Sequence, residues 1–354
     1  MRSNYKRLGD YIRQVDVRNR DERVKRLLGV SIDKVFIESI ANTVGTDMSV
    51  YKIVKRGQFA YGPVTSRNGD KVSIALLTEE ECIISSSYTV FEITDTKKLL
   101  PEYLNLWFKR PEFDRYARFH SHGSAREIFD WEEMCNVELP VPPIEEQEKI
   151  VDAYQKIETR IALKKKINEN LGAQAKTVYF SYLKQYPESF DNKPLIDVCT
   201  VKYGKGLQTA DLLSWGYYVF GSNGLIGYYD SYMYEEEQIT ISCRGVSSGQ
   251  INITLPKAFI TSNSLILEPK DLGTYQYIKW YAITHSFEEY VTGSAQPQLT
   301  IDSLIPVQIK MPIKDIPNLR KVLESCSNSI YLNRLELLAM ERNRDILLSQ
   351  VLSR

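Results

Sequence analysis

The sequence predicts an α+β protein: two α/β domains separated by two long helices that form an antiparallel coiled coil, with an internal pseudo-twofold repeat. Three observations predict it. A long stretch in mid-chain has coiled-coil spacing, a second such stretch closes the chain, and the segments before them overlay on each other without a gap.

Residues 1–143 form the first domain. Short strand-like runs, LLGVSIDKVFI, YKIVKRGQFAYG, KVSIALLT, CIISSSYTVFEI and CNVELPVPP, alternate with turns marked by Gly57, Gly62, Pro63 and Gly69. One run, LPEYLNLWFKRPEFDRYARFH, is helical and breaks at Pro111. The spacing of Tyr103, Leu106 and Trp107 directs it at a core rather than at stacked bases or sugars. The loop AYGPVTSRNGDK carries Thr65, Ser66, Arg67 and Asn68, a set with donors and acceptors for base edges and a cation for phosphate. A solvated hairpin turn is the alternative, because NGD is a good turn signal. His120 and His122 form an HxH in FHSHGSA. With no third ligand nearby, they read as phosphate contacts or exposed side chains rather than as a metal site.

Residues 144–185 form the first spacer helix. Pro142 and Pro143 end the preceding strand, and the acidic start of IEEQEKI suits a helix N-terminus. Ile150, Tyr154, Ile157, Ile161 and Leu171 define its seam, continued by Ala175, Val178 and Tyr182, with Lys164 and Asn168 as a polar middle. Such a helix is a rod of roughly 60 Å and needs a partner.

The second domain, residues 186–312, begins after the turn-rich YPESFDNK. Its strand-like runs are parted by loops rich in Gly, Ser and Asn: GKG, GSNGLIG and RGVSSGQ. Small residues let a backbone approach a ligand closely, and Lys205, Asn223, Arg244, Ser247, Ser248 and Gln250 supply hydrogen-bonding groups. Tight hairpin turns remain the alternative for GSNG. Tyr277, Trp280 and Tyr281 again have core spacing, and Glu235, Glu236 and Glu237 read as a solvated edge.

Residues 313–354 are the partner rod, of the same length as the first. Its seam is Leu319, Leu323, Ile330, Leu337 and Leu347, with Asn333 and Arg344 as polar members. The repeat ties the halves together: GSAREIFDWEEMCNVELPVPP (123–143) lies over GSAQPQLTIDSLIPVQIKMPI (293–313), and CIISSSYTVFEI resembles AFITSNSLILEP. Residues 40–183 should therefore superpose on 215–352.

This order of parts, with LPVPPIEEQEKI and the GSA element before it, resembles the specificity subunit of type I restriction-modification enzymes over essentially the whole chain. GSNGLIGYYD and ISCRGVSSGQINITLPKAFITSNSL resemble one kind of target-recognition domain in that family. The resemblance implies a non-catalytic DNA-binding chain in which each domain reads one half of a split target and the helices set the spacing. It also implies two docked methyltransferase subunits carrying S-adenosylmethionine, and motor-nuclease subunits carrying ATP with Mg. No cofactor is expected on this chain. Arg126, Lys202, Ser222 and Gln296 complete the DNA-contact candidates. One departure stands out: the second copy reads MPIKDIPNLRKV, without the second proline or the EEQ. If that phrase docks a partner, the two docking surfaces are unequal.

Composition narrows the alternatives. Lys plus Arg and Asp plus Glu both number 45, so DNA binding requires charges segregated onto faces or borrowed from a partner. The imbalance is local: residues 191–312 hold 8 basic and 12 acidic residues, against 22 and 21 in residues 1–143. No run approaches a membrane span and the charged N-terminus lacks a signal-peptide core, which predicts a cytoplasmic protein. The five cysteines are scattered singly and read as reduced thiols. GSNGLIG has GxxGxxG spacing and is not a dinucleotide fingerprint; P-loop, HExxH, GxSxG and NPPF-like motifs are absent. The competing function is a structural adaptor whose polar seam residues select another protein's helices.

Overall fold

The computed structural model describes residues 5–39, 45–66, 69, 71–123, 127–293 and 295–351. The expectations for Arg67, Asn68 and Arg126 fall outside them. The chain divides into two compact units, residues 1–162 with 338–354, and residues 163–337.

In the first unit, an antiparallel four-stranded sheet runs in the order Ile12–Val15, Thr89–Ile93, Phe59–Tyr61, Ile74–Leu76. Its inner face meets the helices Pro101–Phe108 and Pro111–Phe119, each opened by a proline whose missing N–H costs nothing at that position. Phe59 stacks on Phe91 at 4.9 Å, and Phe108, Phe113 and Trp107 close the cluster. A hairpin, Leu28–Val30 with Phe36–Glu38, and the pair Lys52–Lys55 with Glu81–Ile84 complete the strands around it. Tyr5–Arg7 pairs with Glu138–Pro140, the strand that leads into the first long helix.

The second unit repeats this plan. Its four-stranded sheet runs Cys199–Tyr203, Ser264–Pro269, Ile239–Ser242, Ile251–Ile253, the same order of first, last, middle and next strand. Phe190–Pro194 pairs with Gln308–Pro312, the strand before the second long helix. The hairpin Tyr217–Gly221 with Gly224–Tyr229 pairs in parallel with Ala258–Ile260. The helix Tyr275–Thr284 buries Tyr277, Trp280 and Tyr281, as Pro101–Phe108 buries Tyr103, Leu106 and Trp107. The repeated pairing extends upstream of residues 40 and 215, to Tyr5 and Phe190, because the first strand of each domain pairs with the strand before its long helix.

The helices correct the expectation of equal rods. The first runs Ile144–Gln185, 42 residues, and the second Pro317–Ile346, 30 residues, followed by a π-helical turn Leu347–Val351. Residues 313–316 are a turn instead of helix, because Pro317 sets the N-terminus. Within the first unit, Ile150 and Tyr154 enter the domain core beside Leu347 and Leu348, and Glu158 meets Arg344 at 3.3 Å. Within the second, Leu319 and Leu323 pack with Ala175 and Tyr179, a buried tyrosine the seam reading did not include. Ile157, Leu171 and Ile330 are only half-buried, while Ile161 and Leu337 are buried. In each unit the pairs run in opposite directions, so the packing is antiparallel.

Asn333 Nδ2 donates to Asn168 Oδ1 at 2.7 Å, Lys164 Nζ to Asn333 Oδ1 at 2.8 Å, and Lys164 also meets Glu336 at 2.7 Å. Polar groups in a helical seam specify register at a cost in stability. Here they bond one another, so the adaptor reading loses the free seam residues it relied on.

All five cysteines are free, and burial pushes the Cys82 and Cys199 thiols up to about 12. Among the described residues no helix is long and apolar enough to cross a membrane.

Candidate nucleic-acid interface

The same brace is built in both domains. Beyond the middle strand the chain meets the antiparallel bridge that flanks the GSA element, His122 with Ile128 in the first domain and Thr292 with Gln298 in the second. In the first domain Val64 and His122 both bridge to Ile128, Thr65 N donates to Glu127 O at 3.0 Å, and Phe129 N to Pro63 O at 2.8 Å. In the second, Arg244 and Thr292 both bridge to Gln298, Gly245 N donates to Pro297 O at 3.0 Å, and Leu299 N to Cys243 O at 3.0 Å. Glu127, Ile128 and Phe129 and their counterparts Pro297, Gln298 and Leu299 are positions matched by the ungapped overlay of Gly123 on Gly293. The glycine is required: Gly123 and Gly293 have φ of 132° and 85°, and a Cβ on Gly293 would lie 2.6 Å from Gln296 O. In each domain the segment after the middle strand is therefore tied to the residues that flank the GSA element.

In the first domain this brace corrects one assignment. Thr65 is 1% exposed and its hydroxyl donates to Ser121 Oγ and Glu127 O, so it holds the loop and does not read a ligand. Ser66 and His122 are exposed. His120 stacks on Tyr116 and places Nδ1 3.1 Å from the Glu133 carboxylate. Sequence reading missed the hairpin tip at 31–35, which lies beside Lys71: Lys34 forms a buried ion pair with Asp114, and Asp33 meets Lys71 at 3.7 Å. The tip and Lys71 border a cleft of about 1000 Å³ whose cations, Lys34, Lys71, Lys109, Arg115, Arg118 and Arg344, outnumber its four carboxylates. The excess is offset by pairing, because Arg115 meets Glu112, Arg118 meets Glu127 at 2.5 Å and Arg344 meets Glu158.

In the second domain, loops distant in sequence converge on the turn 261–263, which the sequence reading did not single out. Ser262 N donates to Lys205 O, Lys205 N to Ile260 O, Ser222 Oγ to Asn263 O and Cys243 N to Asn263 O. Lys205, Ser222, Asn223 and the Arg244 loop are thereby gathered at one end of the sheet. A signal was present: a polar triplet interrupts an apolar run in both AFITSNSLIL and CIISSSYTVF. Arg244 is exposed, and its side chain has no ion-pair or hydrogen-bond partner among the described residues. Val246, two residues on, is 99% exposed, an apolar tip also missed. Gln250 and Gln296 are exposed and Ser247 is half-buried.

Three assignments change. Ser248 is 5% exposed and donates to Pro297 O at 3.0 Å, so it joins the brace. Lys202 forms a 2.6 Å ion pair with Glu268 on the neighbouring strand. Glu237 is no solvated edge: it accepts from Lys279 at 2.5 Å and from Tyr275 at 2.9 Å. Burial drives the Lys279 ammonium below its usual range, and the Glu237 carboxylate opposes that shift. No cluster of three or more His, Cys, Asp or Glu able to hold a metal occurs among the described residues.

The pattern of the type I restriction modification DNA specificity domain matches residues 43–173 and again 187–319. The chain belongs to the type I restriction-modification DNA specificity family. Its fold is similar to the type I restriction-modification S subunit from M. genitalium, with TM-score 0.60 and 16% identity over 98% of this chain and 95% of that one. Two further structures each cover 98% of this chain and 96% of theirs at 15% identity. One, with TM-score 0.44, comes from work on complex assembly and conformational transition of the type I R-M system; the other, with TM-score 0.39, is the HsdS subunit from Thermoanaerobacter tengcongensis. No curated protein sequence matches the chain.

The two copies of this family domain end on different helix starts. In the first, Gln147 of the EEQ phrase is fully buried: its Oε1 accepts from Leu100 N at 2.9 Å, and its Nε2 donates to Lys98 O and Pro142 O. That glutamine ties the long helix to its own domain and is not available to a partner. In the second copy the overlay puts Pro317 at this position, and Tyr277 takes over the tie. Its hydroxyl donates to Asp315 Oδ1 at 2.9 Å and accepts from Ile316 N at 3.0 Å. The missing EEQ is thus a change in how the helix is anchored: in the same overlay Glu145 falls on Asp315, also acidic and exposed, and Glu146 falls on Ile316.

Proposed function

We propose that this chain is the non-catalytic recognition subunit of a type I restriction-modification system. Each domain reads one half of a split, asymmetric DNA target, and the two long helices hold the domains at a set spacing and dock two methyltransferase subunits. The observation that carries this reading is the repeated brace, which ties the segment after the middle strand to the residues around Gly123 and Gly293 at corresponding positions of two domains whose sequences differ there. S-adenosylmethionine belongs to the methyltransferase partners, and ATP with Mg to the motor-nuclease subunits that join for restriction in the cytoplasm.

The test is selection from a randomised duplex library by the full chain assembled with its methyltransferase partners. Two short conserved blocks separated by a constant gap are expected; a single continuous block would overturn the division of labour. Arg244→Ala should weaken binding or relax the second half-site by about 1–3 kcal/mol if the guanidinium makes a bidentate base contact. Arg67→Ala, in the corresponding loop of the first domain, should act on the first half alone. Equal effects of both variants on both halves would refute the assignment of one domain to each half.

A further inference from the structure

The turn that gathers the loops of the second domain leaves two buried hydroxyls unbonded among the described residues, those of Thr261 and Ser264, and only Thr261 lines a cavity. Thr261 is 5% exposed, and its Oγ1 has no hydrogen-bond partner among the described residues. Buried polar groups are almost always paired, so this one calls for an explanation. Thr261 lines a cavity of about 240 Å³ together with Gln208, Ser222, Asn223 and Asn263, and with Leu212 and Ile226 on its apolar side. Among the described residues that line it, none carries a charge.

The chemistry of the lining selects the ligand. A phosphate calls for cations to offset its charge, and no charged side chain lines this pocket. Side-chain amides and hydroxyls suit the flat edge of a base: an asparagine or glutamine pairs with adenine N6 and N7, and an apolar side chain meets a thymine methyl. The cations stand beside the pocket rather than in it. Lys205 N bonds Ile260 O, and Cys243, the neighbour of Arg244, bonds Asn263 O. Phosphate contacts at the rim would thus leave the pocket facing a groove.

The geometry points to the Thr261 pocket as the place where the second domain takes the edge of one base of its half-site, with the Thr261 hydroxyl completing its hydrogen bonding on that base. The assignment rests on the DNA-reading function proposed above. The first domain does not share the device. In the turn between Glu81–Ile84 and Thr89–Ile93, Ser85 and Ser87 pair their hydroxyls with each other at 3.1 Å. The two domains would read different half-sites partly for this reason.

Thr261→Val keeps the shape and removes the hydroxyl. In the full chain with its methyltransferase partners, selection from a randomised duplex library should show about tenfold weaker discrimination at one position of the second half-site, the scale of one lost base contact. The first half-site should be unchanged. Thermal stability should be unchanged or raised, because the hydroxyl has no partner to lose. Gly221→Ala is the second variant. Its Cβ would stand 3.2 Å from Ile226 Cδ1 and 3.5 Å from Thr261 Oγ1, narrowing the pocket; it should disturb the same half-site. An unchanged second half-site in both variants, with the first still read, would overturn the pocket. So would a loss of stability in Thr261→Val, which would mean the hydroxyl is bonded within the fold. If the unaltered protein selects no split sequence, the proposed function itself fails, which is a separate outcome.

Discussion

Deleting residues 159–165 together with 336–342 should abolish binding to the original DNA target while leaving the bases chosen within each half unchanged. The ends of the two segments are matched within each unit, by Glu158 with Arg344 in the first and by Asn168 with Asn333 in the second. Removing one heptad from each keeps the seam in phase: Ile157 is then followed at four residues by Asn168, and Asn333 at four by Arg344. Lys164 and Glu336 leave together, so neither is left without its partner. The helix pair shortens by about 10 Å, equivalent to roughly three base pairs. Three base pairs also rotate the second half-site by about 100° around the duplex, because one turn takes roughly 10.5. The original gap can no longer be spanned. Selection from a randomised library, with the intact and shortened chains each assembled with methyltransferase partners, would read the result. A gap left unchanged, or new base preferences within the halves, would show that the helices are not a spacer.

Asp114→Ala should be the most destabilising single change in the first domain. Asp114 sits on the helix Pro111–Phe119, accepts from Val72 N at 2.9 Å, and forms a buried ion pair with Lys34 on the hairpin tip. One carboxylate therefore pins two of the surface loops to the core. Lys34 also lies over the Phe113 ring at 5.1 Å, with little water to replace a lost partner. Removing one member of a buried pair costs about 3–5 kcal/mol, because the other charge stays buried. For a cooperative unit the size of the first one, residues 1–162 with 338–354, that is a fall in melting temperature on the order of 6–20 °C. The second substitution Lys34→Met should restore most of it, since the uncompensated charge is gone.

The pH dependence follows in sign. Burial already holds the Lys34 ammonium below the ordinary lysine value of 10.5, with Asp114 opposing that shift. Without Asp114 it falls further. A lysine whose folded pKa lies below its unfolded one binds fewer protons when folded, so stability rises with pH. The deficit of Asp114→Ala should therefore shrink as pH climbs from the lowered folded value towards 10.5. Paired melts of the variant and the unaltered chain across that range would test it. A deficit independent of pH would mean that the lost Val72 hydrogen bond, and not the stranded lysine, carries the cost.

The sequence by itself determined whatever is written in a local period. Steps of three and four residues placed the long helices and put Lys164, Asn168 and Asn333 on one seam, because a helix brings such positions to a single face. The ungapped match of Gly123 with Gly293 is equally local, and its backbone bridges recur pair by pair in the structure. Tertiary structure decided what depends on burial and on partners far along the chain. Thr65, Ser248 and Gln147 look in sequence like polar groups offered to a ligand or partner, yet each is spent inside the fold, on Glu127, Pro297 and Leu100 respectively. Nothing in a polar side chain's local neighbourhood says whether a distant strand will cover it. Lys34 and Asp114 lie 80 positions apart, and the 261–263 turn meets loops that begin some 20 to 60 residues earlier. Such pairings arise only when the sheet closes, so which loop residues remain free to meet DNA is a property of the fold.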